Sequence, residues 1–279
     1  MSASTHHSPV LKHHFEDLGQ QHASERLGIW MFLATEILFF GGIFGAYTMY
    51  RVWYPHEFEF ASAYLNRLFA TVNTVFLITS SLTMTLAIRS AKLGDRGTLK
   101  LYLLVTAALA TAFLVVKGFE YAQDFEERYV AGPLFRAEYA EAVEATKRRD
   151  AQGVVQFIPY AEAKSYFESD AKSEHPLHEH WSSALALRNM PDSPDGPLDQ
   201  GKVQLFLCFY YIMTGIHGVH ILVGIGCILW VWWEAWRGTI PPENYSTVEV
   251  VSLYWHLVDA IWLFLMPLLY LAGAGYVKH

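Results

Sequence analysis

Residues 30–47 read WMFLATEILFFGGIFGAY, and this stretch decides the fold class. It is long and apolar enough to cross a bilayer, which takes roughly 20 helical residues at about 1.5 Å each. Near its middle, however, lies the carboxyl group of Glu36. An ionisable side chain at that depth costs about 2.5 kcal/mol or more unless it is protonated, paired or facing a polar cavity. Glu36 is therefore a candidate functional residue, and a neutral hydrogen-bonding role at a helix contact is the alternative.

Helical geometry gives this stretch two different faces. At about 100° per residue, Phe40 and Tyr47 share the face of Glu36, while Gly41 and Gly45 lie on roughly the opposite side. Small residues four apart allow close helix packing in a membrane. We expect the glycines to pack against a neighbouring helix and Glu36 to lie among aromatic rings.

The composition is that of a polytopic membrane protein. Of the 279 residues, 53% are hydrophobic and 15% aromatic, and the mean hydropathy is +0.19. The two cysteines, Cys208 and Cys227, fall in one apolar segment, too far apart along a helix to bridge. They therefore give no information on the redox compartment. The polar, His-rich N-terminal residues lack the apolar core of a cleavable signal peptide.

Hydropathy predicts an all-α bundle of five transmembrane spans, at residues 27–50, 68–91, 99–122, 203–236 and 247–276. We divide the chain into a polar tail (1–26), spans one to three (27–122), an extracytoplasmic loop insertion (123–202) and spans four and five (203–279). The positive-inside rule predicts a cytoplasmic N-terminus and an external C-terminus. With that orientation, seven basic residues of the short segments lie inside and three lie outside: Lys12, Arg26, Arg89, Lys92, Arg96, Lys100 and Arg237 against Arg51, Arg67 and Lys278.

The loop at 123–202 carries nearly all of the chain's net charge. It holds fifteen acidic and nine basic residues, a balance of −6 in a chain of net charge −7. Residues 136–151 have a helical composition, and residues 191–197 form a turn-rich linker. Such a surface could steer a basic partner such as a small electron carrier, or it could pack on a neighbouring subunit.

Polar residues also lie within the spans. We expect those of the second span, at 73–74 and 80–83, to bond the backbone or to bridge helices. Lys117 and Glu120 are three residues apart on one face of the third span, and they can neutralise each other. We interpret both groups as structural.

The last two spans contain three histidines. His217 and His220, three residues apart, could bind one metal, or one of them could be an axial haem ligand with a distant partner such as His256. His256 and Asp259 are close enough for a hydrogen bond within the helix. With alternating helix direction, these residues and Glu36 all fall in the middle third of the membrane, so a shared polar interior is possible.

The order of five motifs resembles subunit III of the haem-copper terminal oxidases. The motifs are TExLFF at 35–40, NT at 73–74, GFEY at 118–121, TGxHGxHxxxG at 214–224 and YWHxxDxxWLF at 254–264. The resemblance runs from about residue 26 to the C-terminus. Larger members have seven spans, and this chain looks like the bacterial five-span form that lacks the first two. The long loop has no counterpart in the resemblance.

The resemblance implies a subunit of the bacterial plasma membrane that stabilises subunit I and supports its proton uptake. Haem and copper would lie in subunits I and II, with no metal or redox cofactor in this chain and with phospholipid bound to it. Structural, lipid-associated or proton-uptake roles would fall to Glu36, Glu120, His217, His220, Trp255, His256 and Asp259.

Three alternatives stay open. The electron donor could be cytochrome c, which the acidic loop favours weakly, or a quinol. From a different class, the chain could be a membrane cytochrome with haem between His256 and either His217 or His220. A proton-coupled permease is disfavoured because the sequence shows neither an internal repeat nor a broken helix.

Overall fold

The computed structural model describes residues 15, 17–63, 65–126, 129–131, 147–149, 155–157, 200–240 and 245–273. They contain six helices: α1 (Leu18–Trp53), α2 (Pro55–Ala63), α3 (Arg67–Lys92), α4 (Arg96–Glu126), α5 (Gln200–Arg237) and α6 (Ser246–Tyr270). Two short strands, β1 (Lys147–Arg149) and β2 (Val155–Phe157), pair antiparallel.

All helices except α2 are long and apolar enough to cross a membrane, which confirms the predicted five spans. The largest differences from the predicted bounds lie at two helix ends. Helix α1 begins at Leu18, so part of the predicted polar tail is helical, and α6 ends at Tyr270, before the AGAG sequence at 272–275. Glycine destabilises a helix by about 1 kcal/mol relative to alanine, which favours an end there.

Two features of the connecting segments differ from prediction. Helix α2 was not predicted; it begins at Pro55, and proline fits the first turn of a helix, where its missing N–H has no intrahelical partner. The helical interpretation of residues 136–151 is wrong at 147–149, which form strand β1. The rest of that segment lies outside the described residues, as does the linker at 191–197.

The chain folds into two compact units. The first comprises Met1–Tyr50, Asn66–Glu120 and Tyr210–Tyr270, and the second Arg51–Leu65, Tyr121–Phe209 and Leu271–His279. In the first unit, α3 and α6 approach closely along a seam of residues alternately three and four apart. The seam positions are Ala70, Asn73, Leu77, Ser80, Met84 and Ala87 on α3, and Val248, Val251, Trp255, Val258, Trp262, Leu265 and Leu269 on α6. This is the spacing of left-handed helix packing, and the small α3 residues leave room for two indole rings.

Side-chain caps and glycines define the ends of the helices in this unit. Asn66 accepts hydrogen bonds from the N–H groups of Leu68 and Phe69 at the start of α3. Asp95 caps α4 in the same way, and hydrogen bonds from the Thr98 hydroxyl and backbone N–H hold its pKa below the usual value. Gly94 and Gly238, which follow α3 and α5, adopt positive φ angles of 73° and 79°.

The second unit is organised around α2. The Phe58 ring meets Phe206 edge to face with ring centroids 5.5 Å apart, and Tyr129 donates to the Ala61 carbonyl at 2.8 Å. The Gly273 N–H donates to the Ser62 hydroxyl at 3.0 Å. Helix α2 is therefore held by both ring packing and hydrogen bonds.

Candidate functional site

Glu36 of α1 and His220 of α5 form a direct pair. The carboxyl Oε2 of Glu36 lies 3.0 Å from Nε2 of His220, and the two side chains are only 18% and 19% exposed. Phe40 covers the imidazole edge-on, with ring centroids 5.3 Å apart. Phe40 and Tyr47 are both fully buried on the face of α1 that carries Glu36.

The second imidazole nitrogen fixes the number of protons in this pair. Nδ1 of His220 lies 2.8 Å from the Ile216 carbonyl oxygen, which can only accept, so Nδ1 carries a proton. A hydrogen bond between Nε2 and Oε2 then needs one further proton. It resides on Glu36, giving two neutral groups, or on His220, giving an ion pair. In both cases one proton lies between Nε2 of His220 and Oε2 of Glu36, and the pair has no net charge.

The glycine face of α1 is open. A methyl group added at Gly41 or Gly45 would meet nothing of the described chain within 4 Å. The predicted close packing through these glycines is therefore not made within this part of the chain.

Lys117 and Glu120 of α4 form the centre of a closed network. Nζ of Lys117 donates to Glu120 at 3.0 Å and to the hydroxyls of Tyr210 and Tyr270 at 2.9 and 2.6 Å. Both tyrosines in turn donate to Oε1 of Glu120, at 3.0 and 2.6 Å. The side chains of Lys117 and Glu120 are 7% and 2% exposed, so the network ties α4 to α5 and α6 inside the bundle.

His217 lies in a different environment from His220. Its ring stacks on Trp262 at 5.4 Å and meets Phe113 edge to face at 5.8 Å. It is fully buried, and neither of its nitrogens has a hydrogen-bond partner among the described residues. A metal shared by the two histidines is disfavoured, because both nitrogens of His220 are already bonded elsewhere.

His256 and Asp259 do not form the predicted hydrogen bond. Instead, Nδ1 of His256 lies 2.7 Å from the Ser81 hydroxyl oxygen on α3, and both carboxyl oxygens of Asp259 lack a partner in the described part of the chain. The prediction was wrong because residues three apart on a helix can also turn toward a neighbouring helix, and α3 supplies a hydroxyl group at that level.

The polar residues of α3 bridge helices as predicted, with one exception. The indole N–H groups of Trp255 and Trp262 donate to Ser80 and Thr74, each at 3.1 Å. Both hydroxyl groups also donate to α3 carbonyls. Asn73 is the exception, since neither its amide oxygen nor its nitrogen has a partner among the described residues.

Trp255 also explains why the motif at residues 214–224 ends in a glycine. A methyl group at Gly224 of α5 would lie 2.7 Å from the Trp255 ring, so only glycine fits there. Trp255 thus contacts α3 through its nitrogen and α5 through its ring. The site residues form several separate contacts in the bundle instead of one polar cluster, and no three metal-ligating side chains of the described residues come together.

Comparison with known proteins finds similarity to one subunit of the respiratory oxidases. Residues 203–274, which include α6 and nearly all of α5, match the family model of cytochrome c oxidase subunit III. The cytochrome c oxidase subunit 3 of Thermostichus vulcanus is 25% identical over 261 residues, covering 91% of each chain. The chain is thus similar to cytochrome c oxidase subunit III along nearly its whole length.

Other relatives of this chain differ in coverage. The cytochrome c oxidase subunit 3 of Synechocystis sp. is 24% identical over 246 residues, covering 88% of this chain and 74% of the relative. The quinol oxidase subunit 3 of Bacillus subtilis is 32% identical over 66 residues, which is 24% of this chain and 32% of the relative. The family thus includes subunits of two kinds of oxidase.

Sequence reasoning missed Tyr210 and Tyr270. The tyrosines look like ordinary aromatic residues of apolar spans. A lysine and a glutamate buried together need further hydrogen-bonding partners, and hydroxyl groups at the same depth in other spans were the available signal.

Proposed function

We propose that this subunit III chain is the accessory, non-catalytic subunit of a proton-pumping haem-copper oxidase, holding no redox cofactor of its own. In this role it stabilises subunit I and supports its proton uptake. The observation that carries the proposal is the Glu36–His220 pair, which holds one proton within the membrane-spanning bundle. The buried Lys117–Glu120 network supports the stabilising part of the role, since it ties three helices together.

The pair is suited to exchanging a proton. Loss of the shared proton would leave the carboxylate facing the lone pair of Nε2, which is an unfavourable contact in a poorly hydrated site. The contact between Glu36 and His220 therefore depends on this one proton.

We propose cytochrome c as the electron donor of the complex and subunits I and II as the direct partners. The acidic balance of residues 123–202 favours a basic donor, or another respiratory complex, at this surface. A quinol oxidase is the second candidate, because a 66-residue stretch of the chain is also similar to a quinol oxidase subunit.

The membrane is the bacterial plasma membrane in this proposal, with the N-terminus in the cytoplasm. Phospholipid covers α1, which exposes large apolar side chains along its length: Leu27, Trp30, Met31, Phe32, Ile37, Leu38, Phe39, Met49, Val52 and Trp53. In water such a surface would be very unfavourable, whereas acyl chains solvate it.

The substitution Glu36→Gln tests the role of the pair. The glutamine N–H can still donate to Nε2 of His220, so the contact survives, but the side chain cannot exchange a proton. We expect the variant complex to assemble and to lose part of its proton-uptake rate or of its activity lifetime during turnover. Glu57→Gln, at a half-buried glutamate in the second unit, is the control. A Glu36→Gln complex that matches wild type in proton uptake, pumping and lifetime would reject the proposal.

A further inference from the structure

Three buried polar side chains in the first unit are left without partners. Asn73 and His217 are fully buried and Asp259 is 5% exposed, yet none of their polar side-chain atoms has a partner at full hydrogen-bond distance and angle within the described residues. The Ser81 hydroxyl, which already bonds His256, is a weaker polar neighbour of Asp259. Each unsatisfied buried polar group costs about 1–3 kcal/mol. Three such groups in one bundle need a physical explanation.

Cross-helix contacts show that the three side chains lie at neighbouring levels. The Trp262 indole donates to Thr74, the residue after Asn73, and the His217 ring stacks on Trp262. Asn73, His217 and Trp262 therefore share one level of the bundle. Asp259 lies one helical turn along α6, about 4.5 Å from that level at 1.5 Å per residue.

The chemistry of these groups fits water. An amide offers two donors and an acceptor, a neutral imidazole one of each, and a protonated carboxyl group one donor and an acceptor. A buried water needs two to four polar partners, and globular proteins hold about one such water per 27 residues. A cation fits less well, because the Lys117 ammonium already lies 5.7 Å from the centre of the Trp262 ring.

We propose that α3, α5 and α6 enclose a hydrated site in which water molecules bridge Asn73, His217 and Asp259. The water gives each group a partner, and Asp259 is protonated, since an ionised carboxylate at this depth would need a counter-ion. This site is independent of the Glu36–His220 pair, so it stands whether or not that pair supports proton uptake.

Radiolytic labelling of the purified complex tests this proposal. X-rays split bound water into hydroxyl radicals that modify the nearest side chains, even those that bulk solvent does not reach. Trp262 is 1% exposed and would be labelled only by internal water. Met84, fully buried on α3 about three turns from Asn73, is the control. Each rate is compared with that of the same residue in the denatured chain.

We expect Trp262 to be protected several-fold less than Met84. The variant Asp259→Asn keeps a donor and an acceptor, so labelling of Trp262 persists. The variant Asp259→Leu fills the site with an apolar group, and labelling falls to the level of Met84. Equal protection of Trp262 and Met84 in the wild type, or unchanged labelling of Trp262 in Asp259→Leu, would overturn the hydrated site.

Discussion

Removing the Lys117 ammonium from the buried network of α4, α5 and α6 should lower the free energy of unfolding substantially. In Lys117→Met the aliphatic part of the side chain is kept, but Glu120 loses its counter-ion while remaining 2% exposed. Breaking a buried ion pair from one side typically costs about 3–5 kcal/mol, because a buried charge is left uncompensated. The hydroxyl groups of Tyr210 and Tyr270 still reach Glu120 and hold the loss within that range.

Removing both charges should lower the free energy of unfolding much less than the two single changes do in sum. In the double variant Lys117→Met/Glu120→Gln no charge is buried, and the glutamine oxygen still accepts from the tyrosines. We expect a coupling free energy of about 2 kcal/mol or more between the two positions. The comparison is Lys202→Met, which breaks an ion pair to Glu57. The Lys202 and Glu57 side chains are 35% and 12% exposed, so this change should destabilise the protein less than Lys117→Met does.

The assay is unfolding of the purified protein in graded sodium dodecyl sulfate, followed by circular dichroism. The four proteins are the wild type, the two single variants and the double variant. If the double variant lowers the free energy of unfolding by the sum of the decreases in the two single variants, the groups do not interact and our account of the network is wrong. The account would also be refuted if Lys117→Met lowered the free energy of unfolding by no more than Lys202→Met does.

Two further predictions concern local contacts, and a third concerns the acidic loop. Gly224→Ala should destabilise the bundle by about 1–3 kcal/mol through overlap with Trp255, whereas Gly226→Ala, with open space around the added methyl, should not; thermal unfolding of both variants decides this. The hydrogen bonds of the cap lower the pKa of the Asp95 carboxyl group, so the cap stabilises the fold fully above the ordinary pKa of aspartate. This stabilisation is lost as the pH falls through the lowered pKa. An Asp95→Ala variant should therefore melt at a lower temperature than wild type at neutral pH, and its melting temperature should fall less on acidification. Deletion of residues 136–195 should weaken donor or partner binding without preventing insertion, and unchanged donor kinetics with unchanged subunit composition would refute that role.

Hydropathy predicted the five spans because a membrane helix must be long and apolar whatever it packs against. The same reasoning could not find α2, since nine residues containing histidine and two glutamates resemble a loop. It also assigned helix to a segment where the structure has strand β1, because composition alone does not report pairing with a second strand.

Sequence reasoning singled out individual polar residues of the spans but not the contacts between them. Glu36 and His220 were both singled out, and their pairing is a contact between α1 and α5 that no spacing along one helix encodes. The His256–Asp259 bond failed for the same reason, since Ser81 on another helix bonds His256 instead. Depth in the membrane is readable from sequence, whereas the rotation of one helix against another is set by packing.

Isolation of the complex through a tag on this chain tests the central claim most directly. The chain is purified in mild detergent, an optical spectrum is recorded, and the copurifying subunits are identified; the chain is then stripped from the complex and both fractions are measured again. We predict a large copurifying haem-copper subunit that keeps all of the haem absorbance, with none in the stripped chain. Haem absorbance that stays with the isolated chain would contradict the accessory role and make His217, His220 and His256 the ligands to test.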